Sequence, residues 1–158
     1  MRIHALRPLV VDIAAPHVLV FEMASATTGT LPGSPPHSAE LLERDGDDLI
    51  VRYRTPAFFT ELVLVERVRL YPPDRIEYEV LDGPLDHVQE FLFFEAVDPH
   101  HTRVRYEGVV GSGRALVGTL IARWIAVPAY DRFMLAALKV TAEARAIRTR
   151  RFRRPDTA

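Results

Sequence analysis

Opposite charges recur at facing positions around two short turns, and this feature constrains the fold more than any other. Tight antiparallel hairpins at residues 72–74 and 98–101 would place three pairs of unlike charge directly across from one another. The pairs are Arg67 with Glu79, Arg69 with Glu77 and Glu95 with Arg103. Each such pair stabilises a hairpin by roughly 0.2–1 kcal/mol. The sequence therefore predicts antiparallel strands with these charges on the solvent face.

The same alternation assigns the opposite face, because successive side chains of a strand point to opposite sides of a sheet. The residues between the charges are almost all apolar, so we expect them to face the core. This predicted inner face consists of Leu9, Val11, Ile13, Val51, Tyr53, Leu62, Leu64, Glu66, Val68, Leu70, Ile76, Tyr78, Val80, Val88, Glu90, Leu92, Phe94, Val104, Tyr106, Gly108 and Val110.

Turn chemistry divides the chain into about seven strands. The predicted strands cover residues 6–13, 38–44, 48–55, 61–71, 75–81, 87–97 and 102–110. A short helix is expected directly after Pro16, and residues 27–36 are expected to form a loop. From residue 114 to about residue 150 the pattern has a helical period, with a break or kink at Pro128.

The long C-terminal helix is expected to cover the apolar face of the sheet, since a sheet cannot leave that face in water. Its predicted covering stripe is Tyr130, Phe133, Met134, Ala137, Val140, Thr141, Ala144 and Ile147. The middle of the helix is rich in alanine, so helix and sheet either touch or leave a space there. We predict one α+β domain over residues 1–150 and a disordered basic tail over residues 151–158.

Composition excludes several functions. The chain has no cysteine, which rules out disulfides, Cys-ligated metals and thiol catalysis. The net charge is −1, so nothing draws the chain toward nucleic acid. No secretory signal is evident at the N-terminus, and no stretch approaches the roughly 18 apolar residues of a membrane span. We therefore expect a cytoplasmic protein.

Four segments resemble the START/Bet v 1-like (SRPBCC) superfamily, and within it the polyketide cyclase/dehydrase-type proteins. They are the run from Val11 to Pro16 leading into Val20-Phe21, Asp82-Gly83-Pro84-Leu85, the run from Thr102 to Gly108, and the helix with Leu138-Lys139 and Ala142-Glu143-Ala144. The resemblance spans nearly the whole chain and implies a helix-grip fold, in which a strongly bent seven-stranded sheet grips the last helix around a cavity. Members range from lipid carriers to aromatase/cyclases, so the resemblance implies no single activity.

Two glutamates, Glu66 and Glu90, interrupt the apolar inner face. Burial should raise their pKa, which suits a general acid or base or an anchor for a ligand hydroxyl or amine. Tyr78 would lie between them, and Gly108 would leave room beside Glu90. The alternative is that either acid is hydrated at the cavity mouth or paired with Arg123 or Arg132. Tyr53, Tyr78 and Tyr106 are interpreted mainly as core residues.

Other candidate sites carry weaker signals. His100 and His101 are adjacent in a predicted turn, where their side chains splay apart, so a surface turn is favoured over a metal site. Ser112 lacks the spacing of a nucleophile motif. We predict no metal and no cofactor.

Three functions are compatible with these residues. The first is binding or transport of a hydrophobic, lipid- or polyketide-like molecule; the second is a polyketide aromatase/cyclase that uses Glu66, Glu90 or Tyr78 as acid–base groups. The third is an interaction module that forms a homodimer through the helix or contacts membranes through the arginine-rich end. The predicted ligand contacts are Tyr53, Leu64, Glu66, Tyr78, Val80, Glu90, Leu92, Tyr106, Gly108, Phe133, Met134 and Ala137.

Overall fold

An eight-stranded antiparallel sheet forms most of the described part of the chain. The computed structural model describes residues 2–26, 38–57, 60–83, 87–112 and 134–153. Its elements are β1 (Arg2–Ala5), β2 (Leu9–Ile13), α1 (His17–Ala24), β3 (Ser38–Asp45), β4 (Asp48–Ala57), β5 (Thr60–Tyr71), β6 (Arg75–Asp82), β7 (His87–Asp98), β8 (His101–Ser112) and α2 (Ala136–Arg153). The strand order is β1-β8-β7-β6-β5-β4-β3, and β2 also pairs with β8.

The N-terminal edge of the sheet consists of two strands where the sequence predicted one over residues 6–13. β1 pairs with the end of β8 and β2 with its beginning. Pro8 lies at the break between them, because proline has no N–H to donate to a ladder. The Leu6 N–H still donates to the Gly108 carbonyl at 2.8 Å, so the chain stays against β8 through the break.

The predicted register of the two charged hairpins is confirmed. The backbone pairs Arg67 with Glu79, Arg69 with Glu77 and Glu95 with Arg103. The shortest ion pairs do not all follow this backbone pairing. A long side chain can instead reach a residue diagonally across the pair or on a third strand. Arg67 lies 3.0 Å from Asp48 on β4, and Arg103 lies 2.8 Å from Asp12 on β2.

Most described side chains of the predicted inner face belong to the core or pack against it. Its most deeply buried members include Val51, Val68, Ile76, Val104 and Tyr106, each at most 2% exposed. The side chains that alternate with them in β8, such as Arg103 and Arg105, are exposed. The register argument therefore identified the correct face.

Helix α1 begins directly after Pro16, as predicted, and packs against the core. Phe21 packs edge-on against Phe94 of β7, with ring centroids 5.4 Å apart. Thr102 is fully buried, and its hydroxyl donates to the Ala15 carbonyl at 2.8 Å, which fixes the turn between β2 and α1.

The predicted stripe on the C-terminal helix is wrong in its second half. Val140 and Ile147 are 65% and 50% exposed, and Ala144 is exposed too. The buried side chains of α2 are Ala137, which the predicted stripe included, and Leu138, Ala142 and Ala146, which it did not. The predicted and the observed sets both have helical spacing, so periodicity alone could not separate them. Polar contacts with the β2–α1 turn determine which face of α2 is buried.

Those contacts come from Glu143 and Lys139. The Glu143 carboxylate accepts from the Ala14 N–H at 2.9 Å and lies 2.9 Å from the Lys139 ammonium. Lys139 also donates to the Asp12 carbonyl. Two adjacent turns of α2 are thereby joined to the end of β2, and the face carrying Val140 is left in solvent.

Several predictions lie outside the described residues: the loop at 27–36, the helix before residue 134 with its kink at Pro128, and Tyr130, Phe133, Arg123 and Arg132. Helix α2 continues to Arg153, into the segment that was expected to be a tail. Arg145, Arg148, Arg150 and Arg151 are exposed on it, while the dimer and lipid contacts stay predictions. Neither described helix has the length and apolar character that crossing a membrane would require.

Candidate functional site

Glu66 and Glu90 are the two acidic side chains buried within the described part of the sheet, each 7% exposed. Glu66 on β5 lies opposite Val51 and Val80. Glu90 on β7 lies opposite Tyr78 and Gly108. Both carboxyls therefore belong to the inner face, with β6 between their strands, as the register predicted.

A β-bulge lies directly beside Glu66. The pairing of β5 with β6 shifts between Val65, which faces Asp82, and Glu66, which faces Val80. Bulges increase the local twist and change the direction of a neighbouring side chain, and they are common next to functional sites. The alternation of side chains along β5 does not indicate this irregularity.

Glu90 has a buried partner on the next strand. The Tyr106 hydroxyl donates a hydrogen bond to its Oε1, and Tyr106 is fully buried. Burial raises the pKa of Glu90, and the hydrogen bond from Tyr106 opposes that rise. The carboxyl is thus held in a fixed orientation with one oxygen already engaged.

Gly108 makes room for this pair. A Cβ at residue 108 would lie 3.0 Å from the Gln89 carbonyl oxygen, 3.0 Å from Leu6 Cδ1 and 3.2 Å from Glu90 Cγ. The space that we expected beside Glu90 is therefore filled by Leu6 and by the stem of Glu90 itself. Contact of Gly108 with a ligand stays a prediction.

Glu66 has no comparable support, since it makes no hydrogen bond or ion pair with any described residue. Burial and then the nearby charge of Glu90 raise its pKa to about 8. Near neutral pH this carboxyl is mostly protonated, and a small change in its surroundings would ionise it.

Three tyrosines surround the two acids. Burial raises the pKa of Tyr53, Tyr78 and Tyr106, and the charges of Glu66 and Glu90 raise it further. These phenols stay protonated at neutral pH, so they can donate hydrogen bonds or present ring faces but cannot act as bases. This agrees with their interpretation as core residues.

The other predicted ligand contacts divide between the sheet and α2. Leu92 is buried, while Leu64 and Val80 are half-buried on the inner face. Ala137 is buried and Met134 half-buried at the start of the C-terminal helix. Phe133 lies outside the described residues.

His4 was missed by the sequence reasoning. It lies on β1 opposite Val110, so it shares the inner face, and its Nε2 is buried without a hydrogen-bond partner within the described residues. The prediction began the first strand at residue 6 and therefore left His4 unassigned. The alternation of Ile3, His4 and Ala5 before Pro8 is the signal that could have revealed β1.

The two histidines of the β7–β8 turn make local contacts. The His101 ring nitrogen Nδ1 lies 2.7 Å from Asp98 Oδ2, and the His100 N–H donates to Asp98 Oδ1 at 2.6 Å. No cluster of three potential metal ligands occurs among the residues with described positions.

Solved structures with the same fold include an enzyme of aromatic ring formation. The Zhui aromatase/cyclase from Streptomyces sp. R1128 matches with a TM-score of 0.72 and 21% identity, over 93% of this chain and 95% of its own. A START superfamily protein from Mycobacterium smegmatis matches with a TM-score of 0.65 and 15% identity, over 92% of this chain and 99% of its own.

Norcoclaurine synthase from Thalictrum flavum, solved with dopamine and hydroxybenzaldehyde, matches with a TM-score of 0.66 and 12% identity, over 88% of this chain and 86% of its own. The sequence matches no protein-family model and no curated protein. At these identities the likeness concerns the fold, and it confirms the predicted architecture. The chain therefore has the helix-grip fold that these solved structures share.

Proposed function

We propose that this protein binds an apolar small molecule against the inner face of its sheet, with Glu66 and Glu90 as polar anchors. The observation that carries the proposal is the burial of two carboxyl groups on an otherwise apolar surface, one of them without a partner among the described residues. Burying such a group costs free energy, and perturbed acids of this kind concentrate at functional sites.

The division between apolar and polar residues supports this function. Ligand pockets are mostly apolar, with a few polar groups that fix orientation. Leu64, Val80 and Tyr53 offer half-buried apolar contact area near Glu66. A ligand lying there could also satisfy the Glu66 carboxyl.

Matched bulky substitutions at neighbouring positions of β6 test this function. Val80 is half-buried on the inner face opposite Glu66, whereas the next residue, Leu81, is 51% exposed. Val80→Trp should abolish binding of a neutral naphthyl alcohol, measured by calorimetry and native mass spectrometry, because it fills the proposed site. Leu81→Trp should bind as wild type does. Circular dichroism checks that both variants are folded, and unchanged binding by a folded Val80→Trp variant contradicts the proposal.

A second candidate is an enzyme of the aromatase/cyclase kind. The observation in its favour is the pKa of about 8 at Glu66, because a general acid or base works best when its pKa is close to the working pH. Glu66→Gln and Glu90→Gln should then lose turnover of a linear poly-β-ketone while still binding it. Full turnover in both variants eliminates these residues as catalysts.

A further inference from the structure

Among the described residues of β4 to β8, no basic side chain is a partner of the acids on the inner face. The described basic residues of β4 to β8, other than histidines, lie on the outer face: Arg52, Arg54, Arg67, Arg69, Arg75, Arg103 and Arg105. Most of them pair there with acids, as Arg52 does with Glu40 at 2.9 Å. The inner wall of these strands therefore carries negative charge whenever either glutamate ionises, and nothing described on it compensates that charge.

We propose that the ligand carries a protonated amine on an apolar body, and that its ammonium group lies between Glu66 and Glu90. This inference rests on the proposed binding function and narrows it to one class of ligand. An ionised carboxylate in apolar surroundings is stabilised by a hydrogen-bonded cation, and an uncompensated one is costly. A ligand cation would supply what the wall lacks.

The placement of the acids suits one bridging group. Neighbouring strands lie about 4.8 Å apart, so two strands and one row of offset put the two glutamate backbones roughly 11–12 Å apart. No hydrogen bond joins the two carboxyls, and Tyr106 engages one oxygen of Glu90. An ammonium group has three donors, which can reach Glu66 and the free oxygen of Glu90 together.

The tyrosines add a second attraction for a cation. Tyr78 lies directly opposite Glu90, and Tyr53 lies opposite Leu64, one row from Glu66. Aromatic faces attract ammonium groups, and more strongly when the contact is shielded from water. Phenols that stay protonated present neutral rings to the ligand.

Within the part of the chain that the structure describes, few other charged or titratable groups face this region. Tyr53, Tyr78 and Tyr106 surround the acids, and His4 lies at the β1 side. On α2, Lys139 and Glu143 are engaged with each other and with the β2–α1 turn. The ionisation of Glu66 and Glu90 therefore dominates the pH dependence of an amine at this position.

Two naphthyl probes of the same shape test the inference on the full chain. Calorimetry at pH 7 compares 2-(2-naphthyl)ethylamine, which is protonated, with the neutral 2-(2-naphthyl)ethanol. The amine should bind about tenfold more tightly or better, as expected for charge-assisted hydrogen bonds. Its affinity should rise from pH 6 to pH 8 as Glu66 loses its proton, whereas the affinity of the alcohol should not.

Glutamine variants test whether Glu66 and Glu90 cause the preference for the amine over the alcohol. Glu66→Gln and Glu90→Gln should each lower the ratio of amine affinity to alcohol affinity by about tenfold. Glu95→Gln is the matched control, because Glu95 is an exposed residue of the same strand as Glu90. Retained alcohol binding shows that each variant is folded and that its site is open.

The outcomes separate the two proposals. Equal binding of amine and alcohol, or an amine preference that survives in both Glu66→Gln and Glu90→Gln, overturns the inference and leaves the binding function standing. Failure of both probes to bind wild-type protein overturns both. An amine preference that these variants remove supports both.

Discussion

The Tyr106 hydroxyl donates to Glu90 Oε1 across two neighbouring strands, and both side chains are buried. Glu66, two strands from Glu90 on the same face, has no such donor within the described residues. Two chemically identical acids therefore differ in how firmly each is held. The hydrogen bond from Tyr106 orients the Glu90 carboxyl. The Glu66 carboxyl has no described donor, so it can take up a proton or bind a ligand.

Removing the donor should destabilise the protein. Tyr106→Phe leaves the Glu90 carboxyl without its partner, and we expect a loss of about 1–3 kcal/mol in the free energy of unfolding. The loss should be larger at pH 9 than at pH 5, because the hydrogen bond favours the ionised carboxylate. Urea unfolding at both pH values measures it.

Tyr71→Phe is the matched control for this variant. Tyr71 is 41% exposed, and its hydroxyl lies 3.3 Å from Glu77 Oε2 on the outer face. Its removal should change stability by less than about 0.5 kcal/mol. Equal effects of the two variants would contradict the importance of the buried hydrogen bond.

Stability should fall as the pH rises from about 5 to about 8. The pKa of Glu66 is about 8 in the folded state and near 4.5 when unfolded, so the folded state binds more protons in this range. Stability is therefore greatest below the unfolded pKa and is lost as the pH passes through the folded pKa. The loss from this group is on the order of 4 kcal/mol.

Glu66→Gln should flatten this dependence and make the protein more stable than wild type at pH 9, since an amide cannot ionise. Stability should still fall somewhat with rising pH in this variant, because burial also raises the pKa of Glu90. Thermal or urea unfolding from pH 5 to pH 9 measures the effect, with Glu95→Gln as the exposed control. Parallel curves for Glu66→Gln and wild type would refute the raised pKa.

A methyl group at residue 108 should disturb the Glu90 side chain. Gly108→Ala places a Cβ within 3.2 Å of Glu90 Cγ and 3.0 Å of Leu6 Cδ1, and overpacking of this kind costs about 1–3 kcal/mol. Adding Leu6→Ala should recover part of the loss in a double-mutant cycle. Gly46→Asn is a surface control, because nothing lies within 4 Å of that position and asparagine tolerates its φ of 58°.

The attachment of α2 should depend on Glu143. Glu143→Ala leaves the Ala14 N–H without its acceptor and frees Lys139, so we expect a loss of about 0.5–1.5 kcal/mol. Hydrogen exchange of the α2 amides should also accelerate. Glu22→Ala on the exposed side of α1 is the control; an equal effect there would argue against a specific attachment.

Much of the sheet could be predicted because its information is local. Short turns join consecutive strands, so the facing of Arg67 with Glu79 follows from a few residues of chain. β1 was missed because it pairs with β8, about a hundred residues away, and no turn joins the two strands. The rotation of α2 was also beyond the sequence, since Val140 and Leu138 both belong to apolar stripes with helical spacing.

The sequence by itself determined which side chains face inward. Side chains alternate between the two faces of a strand, so once the charged residues face water the residues between them must face the core. That placed Glu66 and Glu90 on the same apolar surface. Only the tertiary structure decided that Tyr106 reaches Glu90 and that Glu66 stays without a described partner. A hydrogen bond between strands depends on the twist and the bulges of the sheet, and neither can be read from alternation.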